Sequence, residues 1–281
     1  MKETAYLFQA VLVGAWWIGL ALNKSFFDAF QYKGISAMAF WSFLIPDIVL
    51  ISGLSTLRAY WKNTTIEYIV LGAFSYSALY CCNAMLLSQS GLLPTSLMLL
   101  GLVYNIFICF DQSFFCTSTS SRLVIVAKTL IQIVCIWFFA LVVGPFVILN
   151  TFGALGWPNP GAWVNAGSLL FVCFSALGLS SAFFMVRDGD GTPLPLDQTK
   201  QLVISGPYRF VRNPMAIAGI GQGVSIAIAF QSLPILMYAL LGGIIWHLVI
   251  RPTEERDLAE RFGEPYLAYC ERVTCWVPRF R

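Results

Sequence analysis

Eight apolar stretches, near residues 5–22, 35–54, 66–86, 92–110, 123–148, 163–186, 215–231 and 233–251, constrain this chain more than anything else in it. Each is long enough to cross a hydrocarbon core of ~30 Å as a helix of about 20 residues. In that medium water cannot satisfy the backbone, and a helix pairs its own N–H and C=O groups. The expected fold class is therefore all-α: a polytopic transmembrane helical bundle of about eight spans. Composition agrees, because only 11% of the residues are charged, against about 25% in an average soluble domain. Lys2 and Glu3 make a poor signal-peptide head and no small-residue cleavage site follows the first run. Residues 5–22 are therefore expected to be a retained span.

Charge placement tests the span count. With eight spans, both termini and the second, fourth and sixth connections share one side. That side holds 14 of the 17 lysines and arginines, including Arg58, Lys62, Lys200, Arg209 and Arg212. The other side holds Lys24 and Lys33, while Lys128 lies near a span end, where it can snorkel. Basic residues collect on the cytoplasmic side of membranes, so both termini are expected there. The cysteines say less. No CxxC pair is present and His247 is the single histidine, so no metal site is expected. Asp47, in "LIPDIVLI", is an acid at membrane depth. It is either functional or satisfies backbone groups freed by Pro46.

The chain divides by texture into residues 1–160, an N-terminal transmembrane bundle of unreadable role, and residues 161–281, where most acidic residues lie. The segment "RDGDGTPLPLDQTKQLVISGPYRFVRNP", 187–214, is too rich in Gly, Pro and Asp for a helix. Leu202, Val203 and Ile204 argue that it docks rather than floats. At its end Asn213 is a favoured helix N-cap and Pro214 a favoured first residue, so the seventh span starts there. In that span Ala216, Gly219, Gly223 and Ala227 make one narrow face where a helix can approach closely. A flat wall of this kind can also serve a ligand. Gln222, at membrane depth, needs a partner.

The link "QSLP" is so short that spans seven and eight form a hairpin, returning the chain beside Arg212. What returns is "WHLVIRPTEERDLAERFGEPYLAYCERV". On a continuing helix His247, Arg251, Glu254, Glu255 and Leu258 share a face, with Pro252 expected to kink or restart it. His247 is either a satisfied buried histidine or a ligand contact. Leu258, Phe262, Tyr266 and Tyr269 then make an amphipathic C-terminal helix on the cytosolic side, interrupted at Gly263-Glu264-Pro265.

These residues resemble a known family. Gly206-Pro207-Tyr208, Arg212-Asn213-Pro214, the hairpin, Glu254-Glu255 with Leu258, Phe262-Gly263 with Tyr266 and Tyr269, and Pro278 follow one another in order. That order is similar to the isoprenylcysteine carboxyl methyltransferases and related phospholipid and thiol methyltransferases of membranes, over roughly residues 163–280. The resemblance implies an S-adenosylmethionine pocket open to the cytosol, walled by the hairpin and lidded by the tail. The methyl acceptor, a small or lipophilic carboxylate, thiol or lipid amine, would arrive from the membrane. Carried over residue by residue, the cofactor contacts are Tyr208, Arg212, Asn213, Glu254 and Glu255, and the catalytic group is Arg212, Asn213 and Glu255. Gly219, Gly223 and His247 join the candidate cofactor contacts by their place on the same hairpin. Two positions depart from the family pattern: Asn213 stands where the family has histidine, and Ala216 where it has tyrosine. Asn cannot titrate near neutrality, so a mechanism needing a proton acceptor at 213 is not available. Two other function classes stay open. One is a nicotinamide-dependent reductase, since sterol reductases have a similar C-terminal region; the other is a non-enzymatic membrane protein or degenerate relative.

Overall fold

The computed structural model describes residues 2–110, 121–156, 158–193 and 198–278. Their regular elements are all helical. We number the principal ones α1 (Lys2–Leu22), α2 (Ala37–Tyr60), α3 (Thr64–Ser88), α4 (Leu92–Cys109), α5 (Arg122–Thr151), α6 (Ala162–Gly189), α7 (Pro214–Ala229), α8 (Leu233–Phe262) and α9 (Glu264–Arg272). Among the described residues seven helices, all but α7 and α9, are long and apolar enough to cross a membrane. Helix α7 has 16 residues, about 24 Å at 1.5 Å per residue. It ends earlier than its apolar run because Gln231 turns into a left-handed conformation at φ 49° and the Ser232 side chain caps α8. With α7 counted, the chain is an integral, multi-pass helical bundle of about eight spans.

The chain forms two compact units, the first from 1–112 with 149–154 and the second from 113–148 with 155–281. A polar seam along α1 holds the first unit together. At one end the Lys2 ammonium reaches Glu67 Oε2 and the Cys109 carbonyl, both at 3.1 Å. Arg58 Nε donates to Glu67 Oε1 at 2.6 Å. Two turns along α1, Gln9 Nε2 donates to Ser55 Oγ at 2.9 Å, and Gln9 Oε1 accepts from Asn105 Nδ2 at 2.8 Å. Deeper still, Asp47 accepts the Trp17 indole N–H at 3.1 Å at the start of a π-helical stretch, Asp47–Gly53. The intramembrane acid thus has a side-chain donor. Lipid gives apolar helices little reason to associate, so such bonds contribute to specifying the bundle.

In the second unit α7 lies against α6 so closely that small residues are obligatory. A Cβ on Gly221 would meet the Phe174 ring at 2.4 Å, and one on Gly167 would meet the Ser225 carbonyl at 2.7 Å. Gln222 finds its partner on α6, donating to Ser175 Oγ at 2.9 Å. The small-residue face anticipated from sequence is only partly used. A Cβ on Gly223 would meet Ala239 of α8 at 2.8 Å, whereas one on Gly219 would touch nothing within 4 Å.

Helix α8 runs for 30 residues, about 45 Å, more than the hydrocarbon requires. Residues 233–250 contain no Asp, Glu, Lys or Arg, so the charged part, Arg251–Phe262, stands beyond the apolar span. Pro252 neither restarts nor ends this helix. It follows a π-helical turn, Trp246–Ile250, which absorbs the misfit of a residue without an N–H. Arg251 Nε donates to the His247 carbonyl at 3.4 Å, near where that proton is missing. The wider turn has a second effect. One extra residue in the turn moves the position aligned with Glu254 from His247 to Trp246.

Candidate functional site

The loop from α6 to α7 builds one wall. Asp190 caps α6 in a left-handed conformation, and the Lys200 N–H returns to the Gly189 carbonyl at 2.6 Å. Gln198 Nε2 donates to Asp257 Oδ1 at 2.6 Å, and Arg261 binds both Asp257 Oδ2 at 2.8 Å and the Thr199 carbonyl at 2.6 Å. The segment is therefore docked on α8, as its apolar residues implied; Pro195 lies outside the described residues. Next comes the Gly-Pro-Tyr turn. Gly206 has φ +56° and a Cβ there would sit 2.3 Å from the Phe184 ring, so glycine is required on both counts. Pro207 lies in the short 3-10 turn Gly206–Arg209, which buries Tyr208. The Tyr269 hydroxyl on α9 donates to the Tyr208 carbonyl at 2.6 Å and fastens the tail over it.

Arg212 is the junction of three elements. Its N–H donates to the Thr274 carbonyl at 2.9 Å, Nη2 to Glu255 Oε1 at 2.7 Å, and Nη1 to the Cys270 carbonyl at 3.4 Å. Arg251 faces the other Glu255 oxygen at 3.6 Å. Asn213 occupies the N-cap position of α7, but its side chain makes no cap bond. Its Nδ2 donates instead to Cys275 Sγ at 3.2 Å. With φ −128° and ψ 59° the residue lies outside the extended region that caps prefer, which corrects the cap expected from sequence.

These residues line a cavity with about 1020 Å³ of empty space, open mouth included. Trp246, Leu258, Met185 and Met215 supply apolar walls; Tyr208, Arg212, Asn213, Glu254, Glu255, Asp257, Arg261, Tyr266 and Tyr269 supply the polar ones. Two polar atoms of its lining residues, Tyr208 Oη and Arg212 Nε, are buried with no hydrogen-bond partner among the described residues. Burial, then Glu255 and Asp257, pushes the Glu254 carboxyl up to about 7. Burial, with Tyr269 and Glu254 nearby, holds the Tyr208 phenol well above its ordinary range, so it remains a donor.

Of the residues anticipated from sequence, Tyr208, Arg212, Asn213, Glu254 and Glu255 all line this cavity. Gly219, Gly223 and His247 are not among its lining residues. Gly223 packs on α8, and His247 Nδ1 accepts the Trp276 indole N–H at 3.0 Å. Asp257 and Arg261 were missed, although an acid and an arginine at i and i+4 on a tail helix are a recognisable pair. Trp246 was missed because a π-turn leaves no plain mark in sequence.

An integral membrane bundle whose C-terminal unit closes an acid- and arginine-lined cavity with its own tail defines a class before any comparison is made. A family model described as phospholipid methyltransferase matches residues 163–265. That segment runs from the start of α6 into α9 and holds Tyr208, Arg212, Glu254 and Glu255. Over that segment the chain is similar to the phospholipid methyltransferases. Among solved structures, a eukaryotic intramembrane Ras methyltransferase, isoprenylcysteine carboxyl methyltransferase, is similar at 16% identity. The match covers 98% of this chain and 97% of that one, with a TM-score of 0.36. No curated protein matches the chain.

Proposed function

We propose that the protein is an S-adenosylmethionine-dependent methyltransferase acting at the cytosolic membrane face on a small or lipophilic acceptor. The candidate acceptors are a carboxylate, a thiol or a lipid amine. The observation that carries this reading is the pair of buried donors on cavity-lining residues, Tyr208 Oη and Arg212 Nε, that have no hydrogen-bond partner among the described residues, with the Glu254 carboxyl lining the same cavity. Buried polar atoms are rarely left unsatisfied, and donors next to an acid suit a ligand carrying a carboxylate and a cation. When bound, S-adenosylmethionine supplies a sulfonium methyl for a single in-line displacement. Arg212 and Tyr208 would hold its carboxylate. Glu254 and Glu255 would hold its amino group or ribose hydroxyls, and Trp246 and Tyr266 would exclude water. Asn213 acts through position, with Nδ2 committed to Cys275. Alignment of donor and acceptor is the main requirement of such a transfer. An acceptor that arrives as an anion needs no base from the protein.

The same reading assigns the methyltransferase to residues 161–281 and leaves 1–160 as an N-terminal membrane bundle. The charge asymmetry supports a topology with both termini cytoplasmic, the cavity then facing the cytosol. Calorimetry of the purified protein with S-adenosylmethionine tests the proposal. Saturable binding is expected, at least ten-fold weaker in Arg212→Lys, because a lysine cannot keep the guanidinium's fork of donors. Displacement by nicotinamide dinucleotides, or no saturable binding in the wild type, would overturn it.

A further inference from the structure

Three successive residues at the end of the described chain are each bonded to a different support of the cavity. The Thr274 carbonyl accepts the Arg212 N–H at 2.9 Å, Cys275 Sγ accepts Asn213 Nδ2 at 3.2 Å, and the Trp276 indole donates to His247 Nδ1 at 3.0 Å. Trp276 also meets Trp246 edge to face, with ring centroids 5.2 Å apart, and Trp246 is a cavity wall. Cys275 itself is buried. No helix holds residues 274–276 in place, so side-chain and backbone bonds must fix their position.

We infer that residues 274–276 are a positioning strap for the cavity, and that His247 serves the site through this strap by accepting the Trp276 N–H, without touching a ligand itself. The geometry gives the strap a definite task. Arg212 begins the turn into α7, and an arginine that lines a cavity is useful only if its backbone is held. The Thr274 carbonyl provides that hold. Asn213, the next residue, lacks the cap bond that would fix it from within α7, and Cys275 takes over that anchoring. The Trp276–His247 bond then ties both anchors to α8, the helix that brings Glu254 and Glu255. His247 can perform this role only through the lone pair on Nδ1, so its contribution is that of an acceptor at one position and not of ring bulk.

The inference rests on the proposed function only for its effect on cofactor affinity; the docking of the strap has its own readout, the accessibility of the Cys275 thiol. Variants Trp276→Phe, His247→Phe and His247→Asn, the double variant Trp276→Phe/His247→Phe, and wild type would be purified in detergent. Maleimide labelling at Cys275 would be followed by peptide mass spectrometry, with Cys270 as internal reference, and S-adenosylmethionine affinity by calorimetry. Trp276→Phe keeps an aromatic ring, smaller than the indole, and removes the donor; His247→Asn keeps an acceptor near the place of Nδ1. Expected are several-fold faster labelling and about five-fold weaker affinity for Trp276→Phe and for His247→Phe, the cost of one hydrogen bond. The double variant should be no worse than either single, and His247→Asn should stay near wild type. Unchanged Cys275 labelling in Trp276→Phe and His247→Phe would overturn the strap. Equal damage from His247→Asn and His247→Phe would overturn the acceptor role. If wild type bound no S-adenosylmethionine, the proposed function would fail, while the labelling series would still decide for or against the strap.

Discussion

Replacing Glu254 by glutamine should stabilise the empty protein at pH 8 and at the same time weaken its cavity as a binding site. The carboxyl is raised from its ordinary 4.5 to about 7, chiefly by burial and then by Glu255 and Asp257. The folded state therefore keeps a proton that the unfolded chain has already released throughout that interval. Protons bound more tightly by the native state mean that stability falls as pH rises, here from about 4.5 to about 7, and is level above it. An interval of roughly two and a half pH units at about 1.4 kcal/mol each gives a ceiling of about 3 kcal/mol. The acids that raise Glu254 are themselves paired. Glu255 is engaged by Arg212 and Arg251, Asp257 by Gln198 and Arg261, and the Tyr208 phenol stays protonated.

Glutamine preserves the shape and cannot ionise. Thermal unfolding in detergent at pH 5, 6, 7 and 8, followed by tryptophan fluorescence, should show wild type losing roughly 5 °C more than Glu254→Gln between the extremes. The two should unfold together at pH 5. A cationic ligand stabilises the ionised acid, so S-adenosylmethionine affinity should rise with pH through about 7 in wild type and stay flat and lower in the variant. Parallel unfolding curves for the two proteins from pH 5 to pH 8 would refute the reasoning, because the acid would then not be strained at all.

Two further outcomes follow from packing and pairing. Gly221→Ala should destabilise the protein by about 1–3 kcal/mol, since its methyl would press on the Phe174 ring. Gly219→Ala, two residues away in open space, should be neutral or stabilise by up to about 1 kcal/mol; thermal unfolding of the pair side by side checks both. Glu67→Gln should destabilise by about 3 kcal/mol, since it leaves the buried Arg58 guanidinium without its counter-charge. Denaturant titration in mixed micelles reads that loss.

The bundle was legible because lipid imposes a coarse rule, and runs of about 20 apolar residues obey it wherever they lie. The hairpin was equally legible, since four residues, "QSLP", allow no other path. That geometry alone places Arg212 beside the Glu254–Glu255 turn, and the sequence needed no rotamer to show it. What escaped depends on rotation within a helix. His247 counts onto the Glu254 face at 3.6 residues per turn, yet the π-turn Trp246–Ile250 shifts the count by one and presents Trp246 instead. Side-chain choice escaped as well. Asn213 carries the residue type of a cap, but whether its amide turns inward to α7 or outward to Cys275 is set by a segment 62 residues further on. The seam along α1 was hidden for a related reason. Lys2, Tyr6, Gln9 and Trp17 are spaced too sparsely in an oily helix to read as a polar face, and only their partners on α2, α3 and α4 reveal one.

Charge discriminates between the ligands this cavity could hold. Among the charged residues lining the cavity, Glu254, Glu255 and Asp257 are acids and Arg212 and Arg261 are bases. Both arginines are already engaged, Arg212 with Glu255 and Arg261 with Asp257. A dinucleotide brings several phosphate charges, which call for several cations not already paired to acids; among the described lining residues both arginines are paired, and a single guanidinium N–H, Arg212 Nε, stays open. S-adenosylmethionine brings a sulfonium and an ammonium against one carboxylate, a net cation. Its carboxylate needs donors, and the cavity keeps two donors open, Tyr208 Oη and Arg212 Nε. Its cationic groups need an acid without a partner, and Glu254, unlike Glu255 and Asp257, carries no ion pair among the described residues. Each open group costs the empty protein on the order of 1–3 kcal/mol, a cost that persists where a ligand recovers it. An acid-rich cavity with two spare donors therefore suits a methyl donor of this charge far better than a nicotinamide one.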